Sequence, residues 1–419
     1  MNKIQKDHQY IWHPFDVIDL QQNEFIKKAT GVYLHTNDGR KIIDAISSWW
    51  VNIHGHRNPL ISKAVSKQLR YLEHVIFAGF THEPAIKLAE SLIKITPGNM
   101  SKVFFSDNGS TSVEVALKMS FQYWHNNNNP RQKVVAIEGS YHGDTFGAMS
   151  VGARNTFSKP FESLLFDVIY IPFPSNTDEA YWQNVSKIAL SNEIAAFIYE
   201  PLIQGSAGMR IYEPNVLEKL VNIFQSQQII CIADEVMTGF GRTGKLFASE
   251  YIDSQPDIIC LSKGITGGYL PLGATLSNAK IYEAFQTKEV EKLFLHGHSY
   301  TANPLACAAA NESIRLLMRP ECMNQITFIN QLHKEQIPLF SHLKNVSNVR
   351  VLGTILAFEI GDERSYFNKL RDQLYLAFLK RNVLLRPLGN TIYILPPYII
   401  TEKQLRYVYR QIEEVISEI

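Results

Sequence analysis

Polar side chains that could do chemistry follow five short apolar runs along the chain. They are Ser106 to Ser110, Gly139 to Gly143, Glu200, Asp234 with Glu235, and Ser262 to Gly264. Short apolar runs that are separated by helix-like stretches predict a parallel β-sheet covered by helices on both faces. Ligands bind at the carboxyl ends of such strands. We therefore expect these residues to meet in one site that offers hydroxyl groups, an aromatic ring, carboxylates and one lysine.

Asp234 and Lys263 have the most specific chemistry in this set, and each ends a predicted strand. A lysine in a desolvated pocket has a lowered pKa and becomes an amine nucleophile that can form a Schiff base. An aspartate beside a buried cation stays ionised. Taken singly, Asp234 is equally well explained by a surface acid after a strand, and Lys263 is better explained by a solvated lysine before a glycine turn. It is the combination that indicates a site.

An anion cradle and an aromatic face accompany this pair. Gly109 and Ser110 open a helix-like run, where free backbone N–H groups favour a phosphate, although a serine at a helix start is usually only an N-cap. Tyr141 could stack on a planar ligand. Pyridoxal-phosphate enzymes need a lysine, an acid for the pyridine nitrogen and a phosphate site. The sequence therefore predicts a pyridoxal 5'-phosphate site in which Lys263 carries the cofactor.

Longer motifs resemble one family of such enzymes. The segments IICIADEVMTGFGRTG and PDIICLSKGITGG resemble the signature of the class-III aminotransferases. Motifs along nearly the whole chain are similar to those of the adenosylmethionine-8-amino-7-oxononanoate aminotransferases: IWHPF, SSWWVNIHGH, GSYHGDTFGAMSVG, EPLIQGSAGM, GFGRTGKLFA, NPLACAAAN and RPLGNTIYILPPYI. The resemblance implies transamination of 8-amino-7-oxononanoate to 7,8-diaminononanoate in biotin biosynthesis.

The resemblance also implies roles for single residues. Gly109, Ser110 and Tyr141 would hold and stack the cofactor, and Tyr141 would also take part in catalysis. Asp234 would pair with the ring nitrogen. Lys263 would carry the cofactor and move the proton between the amino donor and the cofactor.

A loop from the neighbouring subunit is expected to complete the site. Gly297, His298 and Ser299 match positions at which the family contacts the cofactor phosphate across a dimer interface, and Ser299 keeps the hydroxyl of the usual threonine. The resemblance therefore implies a homodimer with its active sites at the subunit interface.

Substrate contacts are implied at a further set of matching positions. They are Phe15, Trp49, Tyr141, Lys263, Gly297, Arg386 and Tyr393. Arg386 can bind the terminal carboxylate of the keto substrate bidentately, and Trp49 can cover its aliphatic chain. Without the resemblance, the Trp49-Trp50 pair would indicate ordinary core packing.

The amino donor is less well determined than the acceptor. Relatives that use S-adenosylmethionine usually have tyrosine where this chain has Phe15, and relatives that use lysine resemble this chain there and in HGHSYT and GGYLP. SSWW and NPLACAAAN instead resemble the S-adenosylmethionine users. Phe15 keeps the stacking surface but lacks a hydroxyl hydrogen bond. We expect S-adenosylmethionine as the donor, with lysine as the alternative.

The elements that position these residues predict an α/β protein, and the resemblance implies the fold of the fold-type I pyridoxal-phosphate transferases. Residues 51–309 are predicted to form a large cofactor-binding domain around a mostly parallel sheet. Residues 1–50, with a hairpin turn at Asp38-Gly39, and residues 310–419 are predicted to form one smaller α+β domain from both termini.

The composition limits the classes of binding partner and the cell compartment that we expect for this protein. The 41 basic and 40 acidic residues nearly cancel, which removes the main electrostatic argument for nucleic acid or an anionic membrane. Cys231, Cys260 and Cys307 lie in apolar or small-residue runs, which favours buried free thiols and a reducing compartment. The N-terminus has no signal-peptide pattern, and no apolar stretch approaches the ~20 residues that span a bilayer. We expect a cytoplasmic protein.

Other interpretations fit less of the sequence. The clusters at His54-Gly55-His56, His296-Gly297-His298 and Tyr141-His142 lack a third ligand at a recognisable spacing, so we expect no metal. Another class-III activity on the same cofactor, such as a different ω-amino-acid aminotransferase, an aminomutase or a decarboxylase, is the nearest rival. A non-catalytic cofactor-binding domain would need a partner module, which no segment supplies.

Overall fold

Strands and helices alternate along most of the chain in the computed structural model, which describes residues 2–15, 23–361 and 369–418. The strands in these ranges are β1 (Ile26–Thr30), β2 (Tyr33–Thr36), β3 (Lys41–Asp44), β4 (Met100–Ser106), β5 (Lys133–Ile137), β6 (Val168–Ile171), β7 (Ile194–Tyr199), β8 (Ile203–Gln204), β9 (Arg210–Ile211), β10 (Ile230–Asp234), β11 (Ile258–Leu261), β12 (Gly273–Asn278), β13 (Val346–Leu352), β14 (Ile355–Ile360), β15 (Val383–Leu384) and β16 (Thr391–Ile394).

The helices are α1 (Lys3–Tyr10), α2 (Ser47–Trp50), α3 (Pro59–Leu69), α4 (Glu83–Ile95), α5 (Gly109–Asn126), α6 (Phe146–Val151), α7 (Glu179–Ala189), α8 (Pro214–Ser226), α9 (Ala279–Glu283), α10 (Pro304–Leu317), α11 (Pro320–Ser341), α12 (Lys369–Lys380) and α13 (Glu402–Ser417). Short 3₁₀ turns lie at Lys159–Leu164, Ala248–Tyr251, Lys263–Thr266 and Val290–Lys292. No helix of the described ranges is long and apolar enough to cross a membrane.

The central sheet has seven strands in the order β4-β12-β11-β10-β7-β5-β6. Pairing is parallel from β11 through β10, β7 and β5 to β6. Strand β12 is antiparallel to both of its neighbours, so β4 runs in the same direction as the parallel strands. The carboxyl ends of all five strands that the sequence predicts, β4, β5, β7, β10 and β11, therefore lie at one edge of the sheet.

Helices cover both faces of this sheet. Every residue of β7, β10 and β11 is buried. Phe197 and Tyr199 of β7 belong to the same core cluster as the apolar side of α8, whereas Ala196 and Ile198 pack in the cluster that contains α5. Burial on both faces explains why these strands are apolar at consecutive positions rather than at alternate ones.

Strand β12 belongs to the sheet but no apolar run predicts it, since its sequence is GATLSN. The Thr275 hydroxyl donates to the carbonyl of Ser112 in α5 at 2.7 Å, so a polar side chain is satisfied in the core. A Cβ atom at Gly273 would lie 2.4 Å from the carbonyl oxygen of Asn108. Tertiary contacts, rather than an apolar pattern, define this strand.

Two smaller sheets stand beside the central one. The first has the order β1-β2-β3-β15, in which β15 pairs in parallel with β3 and so joins segments from both ends of the chain. The predicted turn at Asp38-Gly39 connects antiparallel β2 and β3, and Gly39 has φ +93°. The second consists of β13, β14 and β16. The domain bounds at residues 50 and 309 stay a prediction.

The cysteines are free thiols. Cys231, Cys260 and Cys307 are buried and Cys322 is half-buried, which confirms the preference for thiols over disulfides.

Candidate active site

The polar ends of the five strands border one cavity of about 1700 Å³. Its lining includes seven residues that the sequence singles out: Phe15, Trp49, Gly109, Ser110, Tyr141, Asp234 and Lys263. Gly297, His298, Ser299, Arg386 and Tyr393 lie outside this lining in the single chain. The structure thus brings together five of the seven predicted cofactor residues and part of the predicted substrate set.

Lys263 follows β11 at the first position of a 3₁₀ turn, with φ +44°. Its Nζ lies 4.7 Å from the ring centroid of Trp50. Burial lowers the pKa of Lys263, and the carboxylates of Asp234 and Glu200 oppose this shift only in part. A lowered pKa increases the fraction of Lys263 that is a neutral amine, and a neutral amine is a nucleophile.

Asp234 ends β10 and is buried, with a histidine as its principal partner. One carboxylate oxygen lies 2.6 Å from His142 Nδ1, and the other accepts the backbone N–H of Val236 at 3.1 Å. The His142 side chain is fully buried, and its Nε2 has no hydrogen-bond partner within the described residues. The sequence places His142 in the candidate site, within Gly139 to Gly143, but the only role considered for it there was that of a metal ligand, so its contact with Asp234 was missed. The one available signal was its position after a predicted strand, next to Tyr141.

Glu200 directly follows β7 and joins two parts of the cavity wall. Its carboxylate accepts the backbone N–H of Tyr141 at 3.0 Å and that of Gly205 at 2.8 Å. Burial raises the pKa of Glu200 to about 7, and the negative charge of Asp234 adds to the shift. The sequence placed Glu200 in the candidate site without a role, and the structure shows that it positions the backbone of Tyr141.

The start of α5 forms the anion-binding end of the cavity. The Asn108 side chain accepts the Thr111 N–H at 3.0 Å and so caps the helix, while Gly109 and Ser110 face the cavity with the free N–H groups of a first turn. A Cβ atom at Gly109 would lie 2.7 Å from Val236, which follows Asp234 in the chain. This close packing fixes the distance between the anion cradle and the buried acid.

Tyr141 presents its ring to the cavity. Burial raises the pKa of its hydroxyl, and the neighbouring Asp144 carboxylate adds to the shift. The hydroxyl therefore stays protonated at neutral pH and can donate a hydrogen bond.

Aromatic rings form the outer wall. The Phe15 ring centroid lies 5.4 Å from that of Trp49 and 5.8 Å from that of Phe157. The guanidinium carbon of Arg386 lies 5.1 Å from the Trp49 ring centroid, so Arg386 stands one side chain away from the cavity. Tyr393 is buried, and its hydroxyl accepts the indole N–H of Trp50 at 3.1 Å. Direct substrate contact by Arg386 and Tyr393 stays a prediction.

The loop at Gly297, His298 and Ser299 lies on the surface of the single chain, with Gly297 and Ser299 exposed. The His298 backbone N–H donates to the Thr301 hydroxyl at 3.1 Å, and His296 Nδ1 lies 3.1 Å from Lys118 Nζ. These contacts hold the loop to its own subunit and leave its exposed side available to another chain. Its predicted role in a neighbouring site stays a prediction.

Within the parts of the chain that the structure describes, no group of three or more His, Cys, Asp or Glu side chains could hold a metal ion. The histidines of the first cluster have other partners: His54 Nε2 lies 2.9 Å from the Ser313 carbonyl oxygen, and His56 Nε2 lies 2.9 Å from Asp44.

Known proteins resemble this chain over nearly its whole length. The sequence model of the family "Aminotransferase class-III" matches residues 17–416. An adenosylmethionine-8-amino-7-oxononanoate aminotransferase of Synechococcus elongatus is 45% identical, covering 98% of this chain and 99% of the relative. The crystal structure of the Methanocaldococcus jannaschii protein of the same name superposes with a TM-score of 0.93 at 34% identity, covering 99% of this chain and 98% of that one. A PLP-bound amine transaminase from an uncultivated Pseudomonas species superposes with a TM-score of 0.91 at 29% identity, covering 98% of each chain.

Proposed function

The chain belongs to the class-III aminotransferases, and from this membership we propose that it uses pyridoxal 5'-phosphate to transfer an amino group to 8-amino-7-oxononanoate. The product is 7,8-diaminononanoate, an intermediate of biotin synthesis. The observation that carries the proposal is the meeting of Lys263, Asp234 and the start of α5 at one cavity. The names of full-length relatives, from Synechococcus elongatus and Methanocaldococcus jannaschii among others, support the choice of substrate.

The residues of the cavity fit this cofactor. Gly109 and Ser110 can bind the phosphate, Tyr141 can stack on the ring, and Asp234 can pair with a protonated ring nitrogen while His142 holds the carboxylate in place. The tight packing of Gly109 on Val236 sets the spacing of phosphate site and acid. Lys263 supplies the amine.

Lys263 is the proposed acid–base group of the transfer. Bound pyridoxal phosphate withdraws electrons from the carbon that bears the amino group, which makes the proton on that carbon acidic. With the cofactor bound, the amine of Lys263 would act as a base that takes this proton at Nζ, and then as an acid that gives it up again on the cofactor side. Burial, which lowers the pKa of Lys263, keeps the amine available as a base.

Trp49, Phe15 and Arg386 are proposed to bind the acceptor. The first two form an apolar wall for an aliphatic chain, and the Arg386 guanidinium beside Trp49 can bind a terminal carboxylate in a bidentate manner.

S-adenosylmethionine is the donor that we propose, with lysine as the alternative. The names of the relatives, which are adenosylmethionine-8-amino-7-oxononanoate aminotransferases, support the former. Phe15 favours the latter, since it lines the cavity without the hydroxyl that S-adenosylmethionine users usually have there.

A homodimer is the proposed assembly. Large apolar side chains are exposed on two neighbouring segments: Tyr71, Ile76, Phe80, Leu295 and Tyr300. The segments touch, because the His74 and Tyr300 rings are 5.2 Å apart and Asn303 donates to the Glu73 carbonyl at 3.1 Å. An apolar face of this kind indicates an interaction surface, and it adjoins the loop at Gly297 to Ser299.

Replacement of the cofactor lysine tests the chemistry. We expect Lys263→Ala to lose the visible absorption that the cofactor gives on a lysine amine, and to lose turnover by about 1,000-fold or more. The matched control is Lys94→Ala, which removes an exposed lysine that pairs with Glu90. This variant should behave as wild type. Retention of the lysine-bound absorption by Lys263→Ala without added amine would show that another residue carries the cofactor.

Single-turnover spectroscopy tests the substrates. The aldehyde form of the wild-type enzyme should bleach with the true donor, and 8-amino-7-oxononanoate should then restore it. Failure of this ketone to restore the aldehyde form would favour another class-III activity. Bleaching by lysine alone would overturn the choice of S-adenosylmethionine.

A further inference from the structure

The segment Ser47–Trp50 forms a left-handed helical turn. Its four residues have φ values of 52°, 45°, 68° and 75° in chain order. The Trp50 N–H donates to the Ile46 carbonyl at 2.9 Å and the Val51 N–H to the Ser47 carbonyl at 3.0 Å, which is the hydrogen-bond spacing of an α-helix. Left-handed backbone brings each Cβ close to the following carbonyl oxygen, so four successive non-glycine residues in this region need strong external support.

Asp44 supplies much of this support. It is the last residue of β3 and is fully buried. One carboxylate oxygen accepts the Ser48 N–H at 2.9 Å and the Ile46 N–H at 3.3 Å. The other accepts the Ser48 hydroxyl at 2.7 Å and lies 2.9 Å from His56 Nε2. The carboxylate thus binds the turn at its start and at its second residue.

The turn itself presents two tryptophans to the active site. Trp49 is on the cavity wall, and Trp50 places its ring 4.7 Å from Lys263 Nζ. Trp50 is fixed beyond the turn, since its carbonyl accepts an Arg242 N–H at 3.1 Å and its indole N–H donates to Tyr393. A right-handed turn at the same place would direct both side chains elsewhere, because the hand of the backbone sets the direction of each Cα–Cβ bond.

We propose that Asp44 is a positioning residue for the reaction: its carboxylate maintains the left-handed turn Ser47–Trp50, and so sets where Trp50 stands against Lys263 and where Trp49 stands against the substrate. A measurement of kcat with the ketone as a test of this proposal rests on the proposed function. A measurement of the visible circular dichroism of the cofactor requires only that the cofactor is bound.

Asp44→Asn tests the carboxylate while keeping the size of the side chain. We expect holoprotein that folds and binds cofactor, with an altered visible circular dichroism of the cofactor, since that signal reports the asymmetry of its surroundings. The kcat for the ketone should fall about 10- to 100-fold, the scale expected for a small misplacement of groups near the reacting atoms. Asp44→Asn with wild-type dichroism and kcat would overturn the proposal.

Ser48 provides a matched pair that tests the hand of the turn directly. Ser48→Gly and Ser48→Val both lose the hydroxyl bond to Asp44, but glycine adopts a φ of 45° freely and a β-branched valine does not. We expect Ser48→Gly to resemble wild type and Ser48→Val to resemble Asp44→Asn in dichroism and kcat. Equal dichroism and equal kcat in the two variants would overturn the proposal. If Asp44→Asn does not fold, the comparison of Ser48→Gly with Ser48→Val is the test of the proposal.

Discussion

Glu200 is the residue that joins the backbone of Tyr141 to the turn between β8 and β9 at Gly205. Its carboxylate accepts one N–H from Tyr141 and one from Gly205, and its pKa is raised to about 7 by burial. A buried carboxyl with a pKa in this range changes its charge near neutral pH. Since Glu200 acts on the pKa of Lys263 through its charge, its protonation state matters to the amine as well.

At the residue scale we predict that Glu200→Gln changes how stability depends on pH. Burial raises the pKa of Glu200 from the ordinary 4.5 to about 7, so between these values the folded protein binds a proton that the unfolded chain does not. The resulting stabilisation is full below pH 4.5 and is lost as pH rises through about 7, with a span of up to about 3 kcal/mol. Unfolding midpoints of the wild type should therefore fall towards neutral pH more steeply than those of Glu200→Gln.

The control for this prediction is Glu83→Gln. Glu83 is exposed and its pKa is lowered by the hydrogen bond from Lys87, so its removal should leave the steep loss towards neutral pH unchanged. Parallel pH profiles for wild type and Glu200→Gln would contradict the assignment of a raised pKa to Glu200.

At the scale of elements, the hairpin of β8 and β9 is a wall of the cavity that several parts of the chain hold. Ser206, Ala207 and Gly208 at its tip line the cavity. Glu200 holds Gly205 from the large sheet, and Arg350 of β13 donates to the carbonyls of Gly208 and, at 2.8 Å, Met209.

Arg350 fixes the hairpin from the far side of the cavity. Its guanidinium also lies 3.3 Å from the carboxylate of Glu359 in β14. A Cβ atom at Gly208 would lie 2.8 Å from the Thr391 hydroxyl, so β16 also limits where the tip can lie.

We predict that Arg350→Met loosens this hairpin. Methionine keeps an apolar stem but donates no hydrogen bond, so amide hydrogen exchange over residues 203–211 should become faster. The KM for the ketone should rise about 10-fold with a smaller change in kcat, because the tip lines the cavity but supplies no group that moves the proton. Arg315→Met, which removes an exposed arginine paired with Glu312, should change neither quantity. Unchanged exchange over 203–211 in Arg350→Met would contradict the prediction.

At the scale of the whole molecule, the loop at Gly297 to Ser299, which is predicted to contact the cofactor phosphate, lies outside the cavity of its own chain. Gly297 and Ser299 are exposed beside the apolar face that contains Tyr71 and Phe80. Two-fold pairing through this face would bury apolar surface, and the homodimer that we propose assigns the loop to the cavity of the neighbouring subunit.

This arrangement predicts complementation between two inactive variants. Lys263→Ala lacks the amine but keeps the loop, and the double variant His298→Ala/Ser299→Ala keeps the amine but lacks the loop. Co-expression should give dimers of which half are mixed, each with one intact site, and so restore about a quarter of the wild-type activity. Light scattering of the wild type should give the mass of a dimer. Absence of any recovery in purified mixed dimers would show that each site is complete within one chain.

Much of the site could be predicted from the sequence because its parts are local. Lys263, Asp234, Gly109 and Tyr141 each follow an apolar run, and a parallel sheet brings the ends of such runs together. The same apolar runs predict five of the seven strands of the central sheet. The motif series identified the family, which the full-length relatives confirm.

Tertiary structure alone decided what holds these groups in place. His142 meets Asp234, and Arg350 meets Gly208, across long sequence separations that no local pattern records. The left-handed turn Ser47–Trp50 is the clearest case, since SSWW contains no glycine to indicate a positive φ. The sequence by itself determined the family, and it predicts which residues bind the cofactor and do the chemistry. The hand of the turn and the position of the hairpin depend on hydrogen bonds from Asp44 and Arg350, because backbone conformations that are locally unfavourable exist only where distant parts of the fold stabilise them.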